Sequence, residues 1–307
     1  MNSIQVHLFG KFRAEVLPDS IFEFESGKAE GLFCYLMLNQ VRAHHREALM
    51  CLLWNNTDTN HSRRYLRKTL WQLQSAIDPK LVEKGGTVFL IEPEWMQVNP
   101  NADIWIDAYV FEETYNQVRG LRGRQLDSSQ VRALEMAVDL YQGDLLEGWY
   151  QEWCIYERER LQQIFLLILD KLVEFAEFHD QHEQGIYYAN RILLCDYARE
   201  RTYRSLMRLY AAAGDRTTAL RRYEKCLTIL ADELGIPPAA RTTRLYEQIK
   251  NGAGTNSRSR AAGNQVSPPI RDLLSDMLEN LQSMQIAINS IQHLIQQIGE
   301  QSEPLDR

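Results

Sequence analysis

TYRSLMRLYAAAGDRTTALRRYEKC, residues 202–226, sets Tyr203, Leu206, Tyr210, Gly214, Ala219 and Tyr223 at the spacings of a tetratricopeptide helix pair, in which small residues let two antiparallel helices approach closely. One period of about 34 residues earlier, Leu169, Leu172, Ala176, Asp180, Gly185 and Ala189 repeat the pattern more loosely, with Gly185 standing where the second copy has Ala219. Repeats of this kind bury a core only by stacking, so two copies predict further helices at their flanks, near 130–142 and 238–250. From Asp107 onward the apolar period is helical almost without interruption.

The first hundred residues read differently. Ile4, Val6 and Leu8 alternate, then Phe12, Ala14 and Val16, then Phe22 and Phe24, with breaks at Gly10 and Pro18. Period two predicts two or three short strands. The period then changes: Leu32, Phe33, Leu36 and Met37 suit a helix from about Lys28, Ala48, Leu49, Leu52 and Leu53 a second, and Asn60 to Ile77 a third. Val88 to Ile91 and Trp95 to Val98 alternate around Glu92-Pro93-Glu94 as a hairpin. Short strands, three helices and a closing hairpin make the order of a winged helix-turn-helix domain. The fold class expected is therefore mainly α: a winged helix-turn-helix over 1–100, tetratricopeptide-like helices over 101–251, and a C-terminal segment apart from both.

The third helix carries the chemistry. At 100° per residue Leu66, Leu70, Leu73 and Ile77 form one apolar seam. His61, Arg64, Lys68 and Trp71 lie opposite, Arg63 and Arg67 on one flank and Gln72 on the other. No acidic residue occurs between Thr59 and Ile77. A cationic face on the third helix of such an order is what a major-groove reader needs: Arg bridges guanine O6 and N7, and Lys and Arg neutralise phosphates. The bland alternative is a solvated basic helix face. His61, Arg63, Arg64, Arg67, Lys68 and Trp71 are the candidate DNA-binding residues.

Composition excludes several other classes. The chain of 307 residues is 45% hydrophobic and 24% charged, with only 16 Gly and 9 Pro, which favours helices over disorder. The net charge of −7 is unevenly spread: residues 1–106 hold eleven Lys/Arg against twelve Asp/Glu, the remainder 23 against 29. The longest apolar run, Ile164 to Leu169, is far short of the roughly 20 residues of a membrane span, and no export signal is visible at MNSIQVHLFGKF, so a cytoplasmic location is expected. Five cysteines without a CxxC disfavour disulfides and cysteine zinc sites. His179 and His182 fall at an inter-helix turn, and adjacent His44 and His45 point apart on a helix, so no metal site is expected. No GxSxG, HExxH or GxxxxGK[ST] occurs, and neither catalysis, ATP hydrolysis nor a cofactor is expected. Tyr187, Tyr188, Tyr203, Tyr210 and Tyr223 are read as helix-packing core rather than a peptide groove.

Several stretches together resemble the bacterial transcriptional activators of the antibiotic-regulatory-protein (SARP) type: VHLFGKF at 6–12, LLW at 52–54, WIDAYVFEE at 105–113, AVDLYQGDLLEG at 137–148, ERERL at 157–161, and LYAAAGDRTTALRRYEKCLTILADELGIPPAARTTRLYEQI at 209–249. The resemblance implies a winged-helix domain followed by a bacterial transcriptional activation domain, with Arg63 to Trp71 on the recognition helix. Larger relatives append a nucleotide-binding module, whose GxxxxGK[ST] motif does not occur in this sequence. Where family members often carry Arg, this chain has Gln72 and Gln74, and its hairpin tip is acidic. Both departures predict weak binding by one protomer, or binding as a dimer.

Residues 252–269, rich in Gly, Ser and Asn, read as a flexible linker. Beyond it Ile270, Leu274, Met277, Leu281, Met284, Ile288, Ile291, Ile295 and Ile298 alternate at spacings of four and three, an unbroken coiled-coil seam over 270–299. The function expected is a DNA-binding transcription regulator, an activator, whose partners are double-stranded DNA, further copies of itself and, as a second candidate, RNA polymerase. The competing reading is a tetratricopeptide-type adaptor whose winged helix no longer binds DNA.

Overall fold

The computed structural model describes residues 4–16, 20–54, 59–81 and 87–252. The linker beyond Gly252 and the heptad segment 270–299 lie outside the described residues. Alternating burial at the N-terminus produces strands. In β1, Ile4–His7, Ile4 and Val6 point into the core while Gln5 and His7 are half-exposed. This strand pairs antiparallel with β2, Arg13–Val16, Ile4 opposite Val16, and β2 pairs with β3, Ser20–Ile21. Phe22 and Phe24 lie past β3 rather than in a strand. Their rings, with that of Phe12, close within 6.0 Å of Phe33 on the first helix.

That helix, α1 (Gly27–Leu38), is capped by the Ser26 hydroxyl, which accepts the Ala29 N–H. It is followed by β4 (His44–His45), α2 (Arg46–Leu53), α3 (Thr59–Leu81), β5 (Phe89–Ile91) and β6 (Trp95–Val98). The hairpin β5–β6 takes up β4 at its edge, in the order β4-β6-β5. Three helices closed by a hairpin are a winged helix-turn-helix. A further strand, β7 (Ile104–Ile106), runs parallel to β1 and completes a sheet of order β3-β2-β1-β7. Nothing in the alternation near Ile104 marks it as a partner of Ile4.

The remaining described chain is helical: α4 (Asp107–Val118), a 3-10 turn at Gly123–Gln125, α5 (Ser128–Leu140), α6 (Glu152–Phe178), α7 (His182–Cys195), α8 (Glu200–Ala212), α9 (Arg216–Leu234) and α10 (Ala240–Lys250). Each of α6 to α9 packs on its successor, and α10 covers α8 and α9, with Ile249 joining Met207 and Ala219. The flanking helices expected near 130–142 and 238–250 are α5 and α10.

Two positions fix the register of the repeat. Asp180 and Gly214 end their first helices with positive φ, 56° and 87°, so the same left-handed turn recurs in both copies. At Gly185 a Cβ would come within 2.8 Å of Leu209 and 3.2 Å of the Ala176 Cβ, because α7 is squeezed between α6 and α8 there. Tyr188 and Tyr203 are buried, Tyr210 and Tyr223 half-buried, while Tyr187 is 55% exposed and stands outside the packing expected of it.

Four of the stretches carrying the family resemblance meet at one junction. Asp107 opens α4 with a buried carboxylate that accepts the N–H groups of Leu8, Phe9 and Ala108. The loop 144–147 docks on the turn after β1: Gly10 N–H donates to Asp144 O, Leu146 N–H to Leu8 O and Glu147 N–H to Gly10 O. Leu146 is fully buried at φ 48°, a left-handed conformation unusual for a bulky residue. Arg158 holds it there, donating to the carbonyls of Leu145, Leu146 and Trp149, each at 2.9 Å. The strands, the loop and α6 thus satisfy one another's buried polar groups.

Candidate nucleic-acid interface

The third helix forms because residues 59–77 contain neither Gly nor Pro and carry one continuous apolar seam. Leu66, Leu70, Leu73 and Ile77 are 5% exposed or less, and α3 packs through them on α1 and α2. At Thr59–Leu81 the helix runs four residues beyond the Ile77 expected from its period. Its far face presents His61, Arg64, Lys68 and Trp71, all exposed, Trp71 by 61%. Tyr65 lies beside them, its ring 6.2 Å from that of Trp54 and 6.4 Å from His61. Arg64 and Lys68 meet no carboxylate at ion-pair distance among the described residues.

The six candidate residues do not share one surface. Arg63 and Arg67 turn toward the start of α2 and the hairpin, where they line a groove with Arg46, His45, Glu47 and Glu94. Arg63 lies 3.4 Å from Glu47 in an exposed pair. The groove forms because the Arg46 N–H donates to Glu94 O, tying the first turn of α2 to the hairpin tip, and because the His45 ring accepts the Glu47 N–H. On the opposite flank Gln72 accepts from the Ser26 hydroxyl and donates to Glu25, fastening α3 to the start of α1. Gln72 therefore has structural partners here.

Missed in the sequence were Arg46 and Trp95. Trp95 is 45% exposed beside the hairpin tip, with its ring 5.1 Å from His45. No period singles either out. The β4–β6 pairing, which sets His45 opposite Trp95, places both beside the hairpin tip, and Arg46 there lines the groove against α3. His44 is buried against the Asn39 carbonyl, and burial lowers its pKa. His179 caps the end of α6 and His182 starts α7. Among the described residues no three His, Cys, Asp or Glu side chains gather as metal ligands, and no helix is long and apolar enough to cross a membrane.

Residues 106–250 match the family described as the bacterial transcriptional activator domain. The chain carries a bacterial transcriptional activator domain. The match begins at the last residue of β7 and ends with α10, so the matched segment is the helical stack together with Ile106, which pairs with Val6 of β1, and Asp107, which accepts the Leu8 N–H. It bears out the activation-domain part of the resemblance to SARP-type regulators. EmbR of Mycobacterium tuberculosis, solved with a low-affinity phosphopeptide, shares the fold at TM-score 0.61 and 18% identity, over 82% of this chain and 66% of that one. The chain thus spans just under two thirds of that protein. The C-terminal TPR-containing domain of a Plasmodium falciparum FK506-binding protein aligns at TM-score 0.33 and 14% identity, over 48% of this chain and 88% of that one, too distant to carry an argument. A comparison with curated proteins found no match.

Proposed function

We propose that this activator-domain protein is a DNA-binding transcription regulator acting in the cytoplasm as an activator, and that it has no catalytic activity of its own. The observation that carries the reading is the outward face of α3, on which Arg64 and Lys68 stand exposed beside Trp71, His61 and Tyr65 without a carboxylate among them. Such a face offers a guanine-reading donor pair and phosphate-neutralising charge on the solvent-exposed side of a helix. The hairpin β5–β6 supplies the wing, with Trp95 beside its tip. The helical stack is then free to meet RNA polymerase. The heptad seam through Leu274, Met277, Leu281, Met284, Ile288, Ile291 and Ile295 supports assembly of protomers, so that individually weak DNA contacts act together.

The test is binding of the purified full chain to genomic fragments across a salt series. Phosphate neutralisation makes log K fall steeply with log salt, and selected fragments should share a sequence. An adaptor without DNA binding would show neither.

A further inference from the structure

The groove between α2, α3 and the hairpin encloses about 270 Å³, and three arginines from two helices, Arg46, Arg63 and Arg67, line it together with His45. Three guanidiniums sharing one groove repel one another unless an anion stands between them. The carboxylates on hand are Glu47 and Glu94. Glu47 reaches Arg63 at 3.4 Å with both side chains more than half exposed, a pair that water screens and another anion can displace. The Nε of Arg46, which lines the groove, is buried and has no hydrogen-bond partner among the described residues. An acceptor entering beside Arg46 would satisfy that donor. The floor is apolar, formed by Met50, Leu66 and Leu70, and suits the sugar beside a phosphate.

Resting on the reading of α3 as a DNA-binding helix, we infer that this groove takes a phosphate of the DNA backbone and that Glu47 competes with it from within. Arg63 and Arg67 stand on the flank of α3, one residue from Arg64 and Lys68. A helix whose outer face enters the major groove turns its flank toward a bordering strand. The basic residues of α3 therefore act in two groups. Arg64 and Lys68 meet bases and the facing backbone, while Arg63 and Arg67 join Arg46 on one bordering phosphate. Glu47 lowers affinity by holding Arg63 until that phosphate displaces it.

The experiment measures binding of the full chain to a pool of random-sequence duplexes and to a selected genomic fragment, between about 50 and 200 mM salt. It compares Arg46→Gln, Glu47→Gln and the double variant Arg64→Ala/Lys68→Ala with the wild type. Arg46→Gln should weaken binding to both DNAs by the same factor and reduce the slope of log K against log salt by about 1. Glu47→Gln should tighten binding about three- to tenfold at the lowest salt, the reverse of what a folding defect produces. If the wild type shows no salt-dependent binding, the reading of α3 fails and this inference with it. If the wild type binds and the Arg64/Lys68 variant does not, an unchanged slope in Arg46→Gln, or no gain in Glu47→Gln, overturns the groove alone.

Discussion

The carboxylate of Asp107 accepts the amide proton of Leu8 at 2.9 Å, across a sequence separation of 99 residues. Its second oxygen takes the N–H of Phe9 at 3.0 Å, so one side chain at the start of α4 satisfies two buried donors at the end of β1. Asp107→Asn keeps the shape but turns an NH2 toward an N–H. A buried donor then loses its acceptor, and the substitution should cost about 1–3 kcal/mol, read as a lower midpoint of thermal unfolding. An unchanged midpoint would show that the junction does not depend on this carboxylate.

The same residue predicts a pH dependence. Burial raises the Asp107 carboxyl above its ordinary 3.8, outweighing the N–H groups of Phe9, Leu8 and Ala108 and the nearby His7, which lower it. A raised value means the folded state holds the proton more tightly than the unfolded chain. This contribution to stability is full below the unfolded value and is lost as pH rises through the folded one. The Asp107 carboxyl resonance should titrate with its midpoint above 3.8, and the stability margin of the wild type over Asp107→Asn should narrow as pH rises through that midpoint. A midpoint below 3.8 would reverse the sign.

On α3, Arg64→Ala with Lys68→Ala should abolish DNA binding and leave the melting temperature unchanged, since both side chains point away from Leu66, Leu70 and Leu73. Singly, loss of a base-reading Arg64 should cost about 1–3 kcal/mol at one operator position, whereas loss of a phosphate-bound Lys68 should weaken all sequences alike. Selection of bound fragments by each variant separates the two.

In the helical stack, Gly185→Ala should destabilise by about 1–3 kcal/mol, although the same change in an open helix stabilises it. The reason is the 2.8 Å approach of the added Cβ to Leu209, itself buried. Ala219→Trp, at the fully buried counterpart one repeat later, should overpack by at least as much and lower the helical signal. Circular dichroism melts of both variants check this, and wild-type stability in either would place the repeat in another register.

The heptad segment makes its own prediction. Light scattering of the full chain and of a chain ending at Asn251 should find the full chain assembled and the shorter one smaller, at micromolar concentration. Two monomers would end the coiled-coil reading. Leu273, Leu278, Ala287 and Leu294 widen the stripe beyond a two-stranded seam, so the expected assembly is of three or four strands.

What the chain discloses without its structure is whatever repeats at short range. The seam Leu66, Leu70, Leu73, Ile77 and the basic face opposite it follow from 3.6 residues per turn, and both stand on α3 as the period requires. The turn at Asp180 returns at Gly214 because each repeat solves the same local packing problem. Tertiary structure decided the rest. The pairing of β7 with β1, the seat of Asp107 under Leu8, the tie of Gln72 to Ser26 and Glu25, and the meeting of Arg46 with Arg63 and Arg67 join residues that no period relates. Four of the stretches by which the family is recognised are segments of the junction around Asp107 and Arg158, where buried polar groups on distant segments must satisfy one another. A hydrogen-bond partner 99 residues away leaves no periodic trace, because what selects it is the cost of leaving a buried donor unpaired once the chain has closed around it.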